Sequence, residues 1–389
     1  MIRKLLCLFC ICINLELSAQ TEDNKTTIFP APDVASIVKG YQISNDYFNG
    51  SININLPLYE LNSKNVIIPI SVSYNGGGIK PDEQPGILGI GWKLNVGGVI
   101  SRNVKNQPDE YRPLQSSKDI IPGMIIYNTD VAPGNYGYID NYSKLDKNDW
   151  SSQTYLNTFN TNSPYAVSTP NSLITNANPL YDLEPDEFIF VFNGISGKFS
   201  LDYTGKWKVI TDAPGITFIV EPVIGNEVKK ASGKNIPRAY IQFKLTANDG
   251  TVYFFGDANN TYPANIDYSH KSKWEKDPAN SYGGPIIPTM PSAWHLSKIV
   301  TNTGQEINFS YQKIGFAAQK VLSYWGYYPP GSPIAQIPSP KSMDKVLTET
   351  WYLESITTND NVKVKFNLGP STQLGTDEII ESGSNYFLI

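Results

Sequence analysis

Cysteine is nearly missing from this 389-residue chain: there are three, Cys7, Cys10 and Cys12, all close to the amino terminus. If that terminus is a cleaved leader, the remaining chain has no disulfide, no thiol nucleophile and no thiolate metal ligand. Histidine is almost as scarce, with only His270 and His295, so a structural zinc site built from Cys and His is not expected. Charged residues make up 17% of the chain, with 31 basic against 36 acidic. No basic run is present, which argues against nucleic acid or anionic lipid as a partner. Long apolar runs are absent too. The longest, Leu5 to Ile13, is about half the ~20 residues that a membrane-spanning helix requires, so no membrane span is expected. Helical periodicity is confined to one short candidate, Pro30 to Val38 with Asp33 as its cap.

The first twenty residues have the grammar of a secretory signal. Arg3 and Lys4 supply the positive start, Leu5 to Ile13 the apolar stretch, and Leu17-Ser18-Ala19-Gln20 the small-residue exit before Thr21-Glu22-Asp23. A lipoprotein signal would place a Cys after a small residue, whereas Cys12 follows Phe9-Cys10-Ile11. The expectation is a secreted or cell-surface protein. Small extracellular domains often depend on disulfides; here burial has to do that work, and the chain is long enough for a sizeable core. Length suggests two or three domains.

What is abundant is tyrosine (24), glycine (30) and proline (28), together with Asn, Ser and Thr. Aromatic and β-branched residues favour pleated surfaces, while Gly, Pro and Asn favour turns. The expected class is all-β: antiparallel, hairpin-rich twisted sheets forming a sandwich or partial shell. Ser51 to Leu56 alternates, putting Ile52, Ile54 and Leu56 on one face. Val66 to Tyr74 follows with Pro69 inside it, the mark of an edge or a bulge. Gly76-Gly77-Gly78 then opens backbone angles closed to other residues. After Trp92 a third strand closes on Gly97-Gly98-Val99-Ile100-Ser101-Arg102.

Between Lys105 and Asp182 the pattern dissolves into Asn, Ser, Thr, Tyr and Pro. So long a stretch is unusual within a compact domain and is read as an irregular surface insertion with a few short strands. Regularity returns with Glu187 to Phe192, the Asn193-Gly194 hairpin signal, and Asp249-Gly250 between two apolar runs. Further on, Trp294 to Phe309 aligns without gaps to Trp351 to Phe366, as W-[HY]-L-x-x-I-x-T-N-x-[GN]-x-x-[IV]-x-F. Each copy reads as strand, turn at Gly304 or Asn361, and return strand; two copies alone do not make a solenoid. The expected division is 1–20 leader, 21–104 N-terminal β-region, 105–182 insertion and 183–389 hairpin-repeat region.

Leu56-Pro-Leu, Ile68-Pro-Ile-Ser-Val-Ser-Tyr74, Gly78-Ile-Lys80, Leu88-Gly-Ile-Gly-Trp92, Leu94-Asn95 and Gly97 to Arg102 resemble the N-terminal region of secreted Rhs/YD-repeat proteins of Bacteroidetes-type bacteria. Phe192-Asn-Gly, Ser196-Gly-Lys-Phe199, Asp249-Gly-Thr, Tyr253-Phe-Phe-Gly256 and Trp294-His-Leu carry the same resemblance onward, skipping Lys105 to Asp182. In that family the region precedes tandem YD repeats that coil hairpins into a hollow shell, often around a C-terminal toxin. This chain has no YD-repeat run, no Rhs core and no effector domain, and Asp202-Tyr-Thr-Gly205 is at most a YD-like turn. The resemblance therefore implies shell-type scaffolding, as a fragment or shortened form, with the rest of such a shell or other surface proteins as partners.

Residue chemistry points the same way. His295 occupies a repeat position that Tyr352 fills in the second copy, so a packing role is expected; His270 reads as an exposed loop residue. Asp82-Glu83 and Glu184, Asp186, Glu187 flank strands beside Pro and Gly, where carboxylates are usually solvated. A glycosidase needs two such groups at about 5 or about 6.5–9.5 Å. Calcium takes loop carboxylates, but no EF-hand or repeated Asp-Gly nonapeptide occurs. Gly86 to Gly91 lacks the Lys-Ser/Thr and helix of a phosphate loop. No enzyme activity, cofactor or metal is expected. The expected key positions are structural: Gly76, Gly77, Gly78, Gly89, Gly91, Trp92, Gly97, Gly98, Trp294 and Trp351. The rival reading is a glycan- or cell-surface-binding module using exposed aromatics, with Trp325, Tyr327 and Tyr328 as its platform.

Overall fold

A computed structural model describes residues 52–64, 66–76, 86–105, 108–111, 137–142, 184–226, 228–229, 235–236, 238–257, 264–275, 290–323, 342–369, 380–381 and 384–385. The leader, the Pro30–Val38 candidate helix, Gly77 and Gly78, Asp82-Glu83, and Trp325, Tyr327 and Tyr328 lie outside the described residues. Within them the protein is nearly all β and antiparallel, as composition and alternation lead one to expect.

The first sheet contains β1 (Ile52–Ser63), β2 (Val66–Gly76) and β3 (Trp92–Asn95), in that spatial order. Its register is continuous apart from a bulge between Pro57 and Tyr59. Pro69 pairs with Glu60 where β2 has no β3 beside it, so a missing N–H there leaves the β2–β3 ladder intact. The strand expected to close this sheet belongs elsewhere. After β3 the chain turns at Gly97, and β4 (Gly98–Asn103) enters the main sheet.

That main sheet continues through β5 (Glu187–Phe192), β6 (Ile195–Leu201), β7 (Trp207–Thr211) and β8 (Phe218–Gly225). Two short strands, β9 (Val228–Lys229) and β10 (Asn235–Ile236), pair with each other. The sheet then resumes with β11 (Ala239–Ala247), β12 (Val252–Gly256), β13 (Ile266–Glu275), β14 (Met290–Val300), β15 (Glu306–Ser323), β16 (Ser342–Thr358) and β17 (Lys363–Lys365). A last small pair, β18 (Ile380–Glu381) and β19 (Ser384–Asn385), follows. The one α-helix among the described residues is α1 (Tyr138–Asn141), so the described part of the 105–182 stretch shows a helical turn and no strand of its own.

Strand β14 is where the sheet branches. Ala293, Trp294 and His295 pair with β4, while Leu296 to Val300 pair with β12. One wing (β4, β5, β6, β7) and the other (β12, β11, β8) thus leave the same strand and fold face to face. Alternation in β5 sends Phe188, Phe190 and Phe192 inward, all buried, to meet Tyr240, Phe243, Phe218 and Phe255 from the opposite wing. Phe188 stacks on Phe199 at 5.1 Å and lies 5.8 Å from the buried Trp294 ring. Trp294 closes its only polar group by donating Nε1–H to the Tyr240 carbonyl at 2.9 Å. Tilted and edge-on aromatic pairs of this kind add about 0.5–1.5 kcal/mol each beyond area burial.

Four hairpins share one turn. In each, residue i donates its N–H to the carbonyl of i+4, and residue i+3, left-handed, donates to the carbonyl of i. The residues i are Asp202, Ala247, Thr301 and Thr358; the left-handed residues are Gly205, Gly250, Gly304 and Asn361. This is the three-residue hairpin loop, a type I turn ending in a left-handed bulge residue. In the two aligned copies even the side chain matches: Thr301 Oγ1 accepts from Gln305 N at 3.0 Å and Thr358 Oγ1 from Val362 N at 3.1 Å. The hairpin repeat visible in sequence is therefore one half of a larger recurrence.

Candidate functional site

Directly opposed residues of antiparallel strands share a face, which makes the first sheet two-sided. One face carries Asn55, Ser71, Ser73, Asn75, Lys93 and Asn95. Asn95 bridges it, its amide donating to Ser71 Oγ at 3.1 Å and its carbonyl accepting from Ser73 Oγ at 3.3 Å. The opposite face carries Ile54 with Tyr74 and Trp92, Leu56 with Val72 and Leu94, Tyr59 with Ile70, and Leu61 with Ile68. No charged residue stands on it.

This apolar face is covered over only half its length. At the inner end Leu61, Ile68 and Ile70 are 1%, 1% and 3% exposed and belong to the main core. Towards the outer end Ile54, Leu56 and Tyr59 are 41%, 45% and 54% exposed, and Leu58, in the bulge, 59%. The adjoining glycine loop adds Ile87, Leu88 and Ile90, also exposed. The inner end is held by polar bonds to both repeat hairpins: Ser63 Oγ donates to Asp360 Oδ1 at 2.8 Å and accepts from Gln305 Nε2.

The glycine positions have distinct roles. Gly76 ends β2 opposite Ile52, and Gly89 shapes the loop, donating to the Gly86 carbonyl at 3.0 Å. Gly91, at φ +77°, packs on Tyr74: a Cβ there would lie 2.8 Å from the ring. Trp92 is half-buried and leans on Tyr74 at 5.2 Å. Gly97 turns the chain between sheets beside Tyr311. At Gly98 a Cβ would sit 2.3 Å from Cβ of Phe192, so β4 and β5 approach as closely as they do because that atom is absent. Trp351 is half-buried in β16, its indole N–H meeting no acceptor among the described residues.

Most of the buried charged residues fall into two groups. At the branch, Asp267 Oδ1 lies 2.9 Å from His295 Nε2 and accepts the Trp351 N–H at 3.1 Å. Asp267 pairs with β14 and immediately precedes Tyr268, where β13 gains β16 as a second neighbour, so its carboxylate reaches β16 at the start of that pairing. The His295 ring lies 5.0 Å from Tyr311, whose hydroxyl donates to the Leu296 carbonyl at 2.9 Å. Burial, then the Asp267 charge, pushes the Tyr311 phenol far above its ordinary range. Among the described residues no hydroxyl bonds to His295. The serines nearby, Ser269 and Ser292, bond to each other and to the Asp267 carbonyl instead. His295 thus does more than pack, since it pins a fork in the sheet. His270 is a strand residue of β13, not a loop residue.

The second group surrounds Arg102 and corrects the reading of Asp186 as a solvated turn carboxylate. Register places Arg102 opposite Phe188, on the inward phase with Ile100. Its guanidinium donates through Nε to Asp186 Oδ2 at 2.8 Å and through Nη1 to Glu110 Oε1 at 2.9 Å, and it lies over the Phe188 and Tyr240 rings. Asp186 and Asp109 exchange backbone N–H bonds with each other's carboxylates, at 3.0 and 2.8 Å. All four charged residues are buried. Asp109 and Glu110 lie in the run that seemed patternless, and nothing in their neighbours announces burial. The available signal was Arg102 itself, a charge on the inward phase of a strand.

No family model matches this sequence. A comparison with curated proteins gives no match either. Among solved structures, TcdB2-TccC3 with Cdc42 is similar at 11% identity and a TM-score of 0.26, covering 80% of this chain and 9% of that one. TcdB2-TccC3 is similar at 10% identity and a TM-score of 0.27, covering 80% of this chain and 10% of that one. The chain spans about a tenth of the length of these matched chains.

Proposed function

We propose that this chain is a non-catalytic β-scaffold of the secreted or cell-surface kind, a wall segment that forms part of a larger β-shell. The single observation that carries the reading is the half-covered apolar face of the first sheet. One apolar face, bulged at Leu58, runs from Leu61 and Ile68, buried under the strand layer of the main core, to the exposed Ile54 and Leu56. Monomeric proteins rarely expose apolar patches beyond a few hundred Å², and larger ones mark interaction surfaces. What covers the inner half is a layer of β-strands joined by one recurring hairpin turn, so the occupant proposed for the outer half is more of that layer. The resemblance of the Gly78 to Arg102 segment to Rhs/YD-repeat N-terminal regions supports the same occupant. The two buried acidic groups support the absence of catalysis, because each is spent on holding backbone and neither opens to solvent.

Hydroxyl-radical footprinting tests this on two samples, the protein recovered in its native envelope assembly and the purified chain. Ile54, Leu56 and Leu58 are expected to be strongly labelled in the purified chain and protected in the assembly. The double variant Ile54→Asp, Leu56→Asp is expected to fold but to be missing from the assembly. Equal labelling in both samples, or normal assembly of the double variant, overturns the proposal. A glycan array on the purified chain, with Trp325→Ala and Tyr327→Ala as controls, supplies a second check. Glycan binding lost in those variants assigns the protein to ligand recognition instead.

A further inference from the structure

We propose that the buried Arg102 cluster is a proton-binding site: folding takes up one proton, which resides on Oδ2 of Asp109, and the clasp it completes weakens as pH rises. The argument begins with charge. Asp109, Glu110 and Asp186 are at most 1% exposed and face a single buried cation, Arg102. Three carboxylates on one guanidinium leave a net charge of −2 if all are ionised, sealed from water. An unpaired buried charge is costly enough that the group usually neutralises instead. The next cation, Arg238, is partly exposed and already engaged by the Glu110 carbonyl and by Asp140 on α1. Lys105 contributes only its backbone N–H. Tyr240 and Tyr111 are the remaining titratable groups against the cluster, and burial raises both phenols, keeping them neutral.

Hydrogen bonds decide where the proton sits. Asp186 accepts from Arg102 Nε, Lys105 N at 2.7 Å and Asp109 N at 3.0 Å. Glu110 accepts from two guanidinium nitrogens and from Tyr240 N at 3.3 Å. Asp109 accepts one bond, from Asp186 N at 2.8 Å, through Oδ1, and its Oδ2 meets no donor among the described residues. Hydrogen bonds to the charged form are what keep a buried carboxylate ionised; Asp109 has the fewest. Burial, then the Asp186 charge, pushes its carboxyl well above the ordinary range. Burial also lifts Asp186, against the pull of Arg102, to about 6.

Both folded-state values lie above the unfolded aspartate value of about 3.9. The native chain therefore binds protons that the unfolded chain releases. That contribution to stability is complete below about pH 3.9 and is lost as pH rises through the folded values, for Asp186 about 6. The site also has a position that gives the proton a consequence. Ile139 N donates to the Asp109 carbonyl at 3.0 Å and Gly137 N to the Tyr111 carbonyl at 2.8 Å, so the cluster ties α1 and both flanks of the 105–182 stretch to the core. Gly137 fits there because a Cβ would lie 2.2 Å from the Pro108 carbonyl oxygen.

The experiment is thermal unfolding of wild type, Asp109→Asn and Asp186→Asn between pH 5 and 8, with proton uptake on refolding at pH 7 measured in two buffers of different ionisation enthalpy. Wild type is expected to lose stability as pH rises and to take up about one proton per chain on refolding. Asp109→Asn, which imitates the protonated group, is expected to unfold at a higher temperature than wild type at pH 8, with a flatter profile and the uptake abolished. Asp186→Asn is expected to be destabilised throughout, because an amide nitrogen replaces Oδ2, which accepts from Arg102 Nε, Arg102 Nη2 and Asp109 N. Infrared spectra are expected to show the carbonyl stretch of a protonated carboxylic acid, its carbonyl oxygen held by the Asp186 N–H, in wild type and not in Asp109→Asn. A wild-type profile parallel to that of Asp109→Asn, or refolding without proton uptake, overturns the proposal. If Asp109→Asn does not fold, the wild-type uptake and infrared band decide alone.

Discussion

The aromatic core and the first sheet follow the same rule to different extents. In the core, β5 and β11 each send alternate side chains inward, and both faces of the resulting space are filled by rings from the opposing wing. In the first sheet, β1 and β2 alternate as cleanly, with an Asn/Ser face bridged by its own hydrogen bonds. Its apolar face, however, is fully buried in the core only at Leu61, Ile68 and Ile70, with Val66 and Leu94 partly buried against it. The pattern is the same and the cover differs. Alternation shows that a strand has an inside and an outside; it does not supply the body that makes the inside dry.

The sharpest way to break the contrast is at the seam between the two regions. Gly98→Val places side-chain atoms where Phe192 already stands and is expected to abolish folding, read as loss of soluble protein; Gly91→Val, strained at φ +77° and crowded by Tyr74, is expected to be severely destabilised as well. Soluble, stable variants at both positions remove the close-approach argument. Next in size is Phe188→Ala in the core, expected to cost about 3–5 kcal/mol in denaturant unfolding. A loss under ~1 kcal/mol means that the wings are not packed as described. Trp294→Phe keeps most of the ring but leaves the Tyr240 carbonyl unmatched, at a cost of about 1–3 kcal/mol. Gly304→Ala is expected to cost about 1 kcal/mol, since alanine is poorly suited to positive φ. Asn361→Gly in the second copy is expected to change little, and unequal behaviour in the reverse sense separates the two turns. Smallest of all, Ile54→Asp with Leu56→Asp is expected to shift the purified chain by no more than about 0.5 kcal/mol. A large loss there means the outer face is already covered within the chain.

Much of the fold was legible because it is local. Phe188, Phe190 and Phe192 announce a half-buried strand by period alone, and Asn193-Gly194 announces its turn. The paired tryptophan hairpins were legible because Thr301 and Thr358 do the same work with the same atom. The turns at Asp202 to Gly205 and Asp249-Gly250 were legible as turns, but not as the same design, since it needs only a left-handed residue at its fourth position and tolerates Asp202 or Ala247 at its first. The Arg102 cluster was illegible for another reason. Its members are separated by as many as 84 positions, and Asp186 beside Pro185 looks like any turn carboxylate until β4 is laid against β5. The assignment of β4 to the main sheet was hidden in the same way, because Gly97 and Gly98 mark a close passage without saying between which strands.

The recurring turn carries a consequence for growth. A left-handed bulge residue increases the right-handed twist of its hairpin, and here such a residue stands at Gly205, Gly250, Gly304 and Asn361. A wall assembled from such units bends by a constant amount per unit, as a staircase turns by a constant angle per step. Its curvature is written into each turn separately and needs no contact with the far side to set it. Lengthening such a wall by copying a hairpin preserves the bend automatically, which makes duplication a conservative change for this architecture.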